Sequence, residues 1–164
     1  MERLVALPDD AVTSWQDWEA LRDQAVGRMY DDRQDVETRL RWAGVAIAAC
    51  GRRDVRSGFD PARTLADEAG IRAYAIREFG VVPGDAIRDA ADLCRTVFLH
   101  IGRSREEVAA EAVDWRALPR EGMLRLRRVK NLLTPLRGIV DALRPDDPLR
   151  PELSAWLALI PELP

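Results

Sequence analysis

The chain has 164 residues, 47% of them hydrophobic and 32% charged, with a formal net charge of −3. That length fits one domain or two small helical subdomains, and the composition excludes a disordered chain. The slight acidity excludes a protein whose whole surface coats nucleic acid, so any such contact has to come from a local patch.

The first ten residues contain too short an apolar run for a signal peptide, and no segment approaches the ~20 apolar residues of a membrane span. A cytoplasmic protein without membrane contact is expected. Cys50 and Cys94 sit in apolar helical contexts with no CxxC spacing. They read as buried free thiols, with no metal site and no cofactor implied.

Ser14 with Asp17 three residues on is a short capping box that opens a first helix bearing Trp15, Trp18, Leu21, Ala25 and Met29 at helical spacing. A second helix is predicted over 34–50. Residues 1–41 hold ten acidic and six basic groups, which suits a packing or partner-binding hairpin better than a phosphate contact. Gly51 to Gly58 reads as a flexible basic connector. Asp60 as N-cap and Pro61 at the first helical position open the next helix.

Gly70 then offers the left-handed turn that would end that helix and start another, running to Gly80. A helix is predicted over 85–101, closed by Gly102. Ser104 and Glu107 form a second capping box, for a short helix to about Val113. A basic amphipathic helix follows over 121–133, Pro135 kinks it or divides it from a turn through Leu143, and Pro151 opens a last helix with Leu153, Trp156, Leu157 and Ile160. No strand pattern is present. The predicted fold is an all-α bundle of about seven to eight helices with a helix-turn-helix-like pair at 61–79. Its regions are an acidic hairpin at 1–50, the helix-turn-helix-like region and following helix at 51–102, and a C-terminal helical region at 103–164; one continuous domain over 1–164 is the alternative.

A helix-turn-helix needs a small residue for close crossing, a glycine turn and apolar flanks, and Ala66, Gly70, Leu65, Ala69, Ile71 and Ile76 supply them. Arg72, Tyr74 and Arg77 would then face double-stranded DNA, with Arg63 and Arg53 completing the patch. Residues 116–150 carry nine basic and four acidic groups, a second positive surface fit for phosphate or an acidic partner.

The C-terminal third resembles the Xre/MbcA/ParS-type antitoxins. Ile101 to Ala109 is similar to the entry of their toxin-binding region, Arg125-Leu126-Arg127-Arg128-Val129 with Leu132-Leu133 to its basic helix, and Ala155-Trp156-Leu157 with Pro161 to its closing signature. The leucine–glycine–proline tail of that family does not follow. The resemblance implies DNA binding by the helix-turn-helix and partner binding through Arg125, Arg128 and Trp156.

Arg95-Thr96-Val97-Phe98-Leu99-His100 resembles the short motif of HEPN ribonucleases. There a histidine serves as general base on a ribose hydroxyl and an arginine stabilises the phosphate charge. Thr96 stands where that family favours a more polar residue. No glycine-rich phosphate loop, nucleophile elbow or metal spacing occurs. The leading expectation is a small regulatory protein that binds DNA and a protein partner, antitoxin-like, with enzymatic activity and oligomeric state left open. The alternatives are a helical adaptor or complex subunit, and a nuclease acting through Arg95 and His100.

Overall fold

A computed structural model describes residues 14–57 and 60–164, with the backbone alone at 54–57. Within them all regular structure is helical, as expected. Eight α-helices follow in order: α1 (Trp15–Met29), α2 (Val36–Ser57), α3 (Pro61–Phe79), α4 (Ala90–Ile101), α5 (Arg105–Ala112), α6 (Arg120–Leu133), α7 (Ile139–Ala142) and α8 (Leu149–Leu157). The readings of the N-terminal ten residues and of Gly58 lie outside the described residues. The chain forms two compact units, residues 1–71 and 72–164, and α3 runs through the division.

In the first unit α1 and α2 form a hairpin. Ser14 caps α1 as its sequence requires: Asp17 N–H donates to Ser14 Oγ at 3.2 Å, and Ser14 N–H donates to Asp17 Oδ2 at 3.0 Å. Trp18, Ala25 and Met29 of α1 are buried, as are Ala43, Ala46, Ala49 and Cys50 of α2. Small residues at a helix crossing let the axes approach closely. Arg39 folds back so that its Nε donates to the Met29 carbonyl at 2.9 Å, satisfying an orphan group at the end of α1.

Two local expectations are corrected here. The connector from Gly51 is helical and continues α2 to Ser57. Tertiary contacts hold it: Arg52 lies 5.6 Å from the Trp18 ring centroid, and Arg53 is locked between two carboxylates. The pair at 61–79 is a single helix, and Gly70 lies inside it without positive φ. A helical glycine costs about 1 kcal/mol relative to alanine. The strong helix formers around it and the burial of Ala69, Ile71, Ala73 and Ala75 outweigh that cost.

The second unit has a larger apolar core. Ile76, Leu93, Val97, Leu126, Leu132, Leu133, Leu136, Ile139, Leu153 and Ile160 are all fully buried. Each such side chain contributes roughly 1.5–3 kcal/mol by leaving water. α4 begins at Ala90, not at Asp85, because Asp85 closes a tight turn: its Oδ1 accepts from the N–H groups of Ile87 (3.0 Å) and Arg88 (2.7 Å). Asp89 is the N-cap, accepting from Asp92 N–H at 2.9 Å and from Gly84 N–H at 2.7 Å. Gly102 ends α4 at φ 66°, a conformation that favours glycine. The Ser104/Glu107 capping box starts α5 as predicted. Pro135 falls in a 3₁₀ turn over Thr134–Gly138 that separates α6 from α7. Pro151 lies in the first turn of α8, which starts two residues before it.

Candidate functional site

With one continuous helix at 61–79, the residues expected to face DNA are distributed differently. Arg72 is turned inward, its side chain 11% exposed. Its Nε donates to the Ile87 carbonyl at 3.3 Å, and its Nη2 donates to the Asp89 carbonyl and the Asp92 carboxylate, both at 3.1 Å. It organises the turn before α4, so its donors are already occupied. Arg53 is completely buried, bonded to Glu19 at 2.5 Å and Asp67 at 2.8 Å. A buried, doubly paired guanidinium does not reach a ligand. Both side chains are held by groups of the fold itself, Arg53 by two carboxylates and Arg72 by the turn before α4.

Burial pushes the Glu19 carboxyl upward, but the Arg53 hydrogen bond and the Arg22, Arg53 and Arg63 charges outweigh it and hold Glu19 below its ordinary value. Tyr74 is half-buried and Arg77 is exposed, its guanidinium 5.6 Å from the Tyr74 ring centroid. Arg63 is exposed in the first unit, so it and Arg77 lie in different units.

The expected partner-binding residues all lie in the second unit. Arg125 projects from α6 and donates to Glu111 at 2.8 Å. The same carboxylate takes Arg103, and these two hydrogen bonds, from Arg103 first, lower its pKa. Arg128 is exposed. Trp156 is only 4% exposed and stacks on Phe98, ring centroids 5.3 Å apart and planes 19° from parallel. Trp156 therefore backs the surface that Phe98 lines.

That surface is a groove of about 540 Å³ along α4 and the start of α8. Ala91, Phe98, Leu99 and Leu149 supply its apolar lining, with Arg95 and Glu152 on its rim. Leu99 is 75% exposed, on a helix whose other large aliphatic residues are largely covered. Arg95 is exposed and has no hydrogen-bond or ion-pair partner among the described residues, whereas Glu152 has Arg105 at 3.7 Å. The sequence reading missed Leu99. The available signal was its position off the buried stripe of Leu93, Cys94 and Val97, where α4 presents polar side chains.

The nuclease pair does not converge. Arg95 and His100 lie five residues apart on α4, about 140° around its axis. His100 is exposed and has no polar partner among the described residues. Within one chain this spacing puts the two side chains on different faces of α4.

Among the described residues no group of three or more His, Cys, Asp or Glu side chains is placed to hold a metal ion. Cys50 and Cys94 are buried and free, and burial pushes both thiols up to about 12. No described helix is long and apolar enough to cross a membrane. Compared with protein-family models, curated proteins and solved structures, the chain matches none.

Proposed function

We propose that this protein is a non-catalytic helical adaptor that takes a protein partner in the α4/α8 groove of its second unit. The observation that carries the reading is Leu99, three-quarters exposed on the lip of an apolar groove. Keeping such a side chain in water forgoes roughly 1.5–3 kcal/mol that a partner recovers on covering it. The stacked Phe98 and Trp156 give the groove a rigid floor, the property that lets an interface anchor bind without a large ordering cost. Arg95, unpaired on the rim, fits a partner that presents an apolar helix face flanked by an acidic residue.

The same reading accommodates the resemblance to Xre/MbcA/ParS-type antitoxins on its protein-binding side. Residues 125–133 resemble their basic helix, and Trp156, stacked on Phe98, resembles their closing tryptophan. It draws nothing from DNA recognition by residues 60–80.

A photo-cross-linking amino acid at position 99, introduced in the native cell, tests the reading. The expected result is one dominant protein adduct that disappears when Arg95→Glu is added, and no such adduct from position 33 in the first unit. The same adduct from both positions, or one indifferent to Arg95→Glu, would contradict it.

A further inference from the structure

Residues 115–140 carry seven basic side chains and a single acidic one, Glu121. Of these, Arg125 pairs with Glu111, and Lys130 Nζ donates to the Leu163 carbonyl at 2.9 Å. Two others, Arg120 and Arg127, stand in line on α6. Successive helical residues turn by about 100°, so Arg120, Leu124, Arg127 and Asn131 fall within about 60° of arc on α6. All four are exposed, and they lie opposite the buried Leu126, Val129 and Leu133.

Arg120 and Arg127 have no hydrogen-bond or ion-pair partner among the described residues, and neither has Arg137 beyond the end of α6. The Arg77 side chain lies against Gly138, the next residue after Arg137: a Cβ built there would meet the Arg77 Cδ at 3.3 Å. At the other end Arg116 stacks over the Trp115 ring, 4.6 Å from its centroid. Glu121 and Asp141 border the row, and neither forms an ion pair with it among the described residues.

We propose that this row binds the phosphodiester backbone of nucleic acid without regard to base sequence. A protein partner needs an apolar centre to its interface, and the row offers only Leu124. A phosphate backbone needs cations and donors alone, and counterion release supplies the free energy. Planar guanidinium groups bind phosphate oxygens in pairs, and the Asn131 amide adds a neutral donor. Arg120 and Arg127 are about 10 Å apart along the helix, and the row spans the roughly 20 Å length of α6, a linear footprint that fits a polymer of charge. The net charge of −3 does not oppose it. Residues 72–164 hold fifteen basic and fourteen acidic groups, so the excess acid belongs to residues 1–71. The row is separate from the α4/α8 groove, and the two sites stand or fall independently.

Fluorescence anisotropy with a labelled 20-base-pair random-sequence DNA duplex tests the proposal, with parallel arms of single-stranded DNA, duplex RNA and polyglutamate. Four contacted phosphates give a slope of log K against log salt of about −3.6, a loss of about 150-fold between 50 and 200 mM salt. Combining Arg120→Ala, Arg127→Ala and Arg137→Ala should flatten the slope by about 2.7 and leave the far-ultraviolet circular dichroism unchanged. The matched triple Arg28→Ala, Arg33→Ala and Arg41→Ala in the first unit should leave binding intact. Binding in any nucleic-acid arm with these dependences supports the site, and the arms identify which polymer it prefers. Absence of binding at 50 mM salt, an equal loss from the control triple, or polyglutamate binding as tightly as every nucleic acid would overturn it.

Discussion

The two units solve the same packing problem with different chemistry. The first is built around alanines and a buried arginine, and its charges are largely consumed internally: Arg22, Arg33, Arg41 and Arg53 all pair with nearby carboxylates. The second is built around leucine and isoleucine, with no buried charged side chain, and it leaves Arg95, Arg120, Arg127 and Arg137 unpaired at its surface. A small alanine core supplies little apolar area, so the first unit depends on polar geometry for its definition. The second has apolar area to spare, and its surface arginines are free for other work. The contrast teaches where to look for binding: at charges and apolar groups that the fold does not itself use.

The largest expected effect breaks the leucine core. Leu132→Ala should cost about 2–5 kcal/mol, read as a lower urea midpoint. Each unit contains one buried thiol, so mass-resolved thiol labelling separates them: this variant should speed labelling of Cys94. An unchanged Cys94 rate would mean that the core does not protect the second unit as described.

Next in size is Arg53→Met. Removing one partner of a buried ion pair costs about 3–5 kcal/mol, and the lower end applies because Glu19 and Asp67 each keep about a quarter of their side chain in water. Here the Cys50 rate should respond. A variant as stable as the parent would show that the pairing is dispensable to the first unit.

The same network gives a pH dependence. Glu19 is held below its ordinary value in the folded state, so it binds fewer protons there than when unfolded. Its contribution is fully present above the ordinary glutamate range near pH 4.5 and is lost as pH falls through the lower folded value. Urea midpoints at pH 6 and pH 3 should therefore diverge, and Glu19→Gln should reduce the difference. A Glu19→Gln protein with the parent's full acid sensitivity would assign that sensitivity to other carboxylates.

The smallest effects lie at the helix ends of the second unit. Gly102→Ala forces a side chain into the left-handed region and should cost about 1 kcal/mol. Ser104→Ala removes one half of a capping box and should cost a similar amount, about 1 kcal/mol. Thermal midpoints a few degrees lower would match both, whereas unchanged midpoints would mean that these ends fray in solution.

How much of this could be read from the chain depends on how local the cause is. The two capping boxes, the Gly102 stop, the all-helical class and the basic amphipathic helix expected over 121–133 follow from residues within one or two turns of each other, and the fold realises them, the last as Arg120–Leu133. The failures are those where distant contacts decide. Gly51 and Gly70 read as breaks because glycine is a poor helix former, yet Arg53 bridging Glu19 and Asp67 holds the first region helical and the alanine packing holds the second. Arg72 reads as a probe until Asp92 and the turn carbonyls, fifteen to twenty residues away, are seen to claim it. Leu99 is legible only as an apolar residue on the polar side of α4. The groove that gives it meaning comes from α8, fifty residues later.

The continuity of α3 is the central point, since it turns Arg72 inward to the turn before α4. Residue-resolved amide hydrogen exchange across 66–76 tests it directly. The expected result is protection of Ile71, Arg72 and Ala73 as strong as that of their neighbours on either side, with protection falling near Asp92 when Arg72→Ala is introduced. Rapid exchange confined to residues 70–72, with Arg72→Ala leaving Asp92 untouched, would restore a turn there and contradict the account.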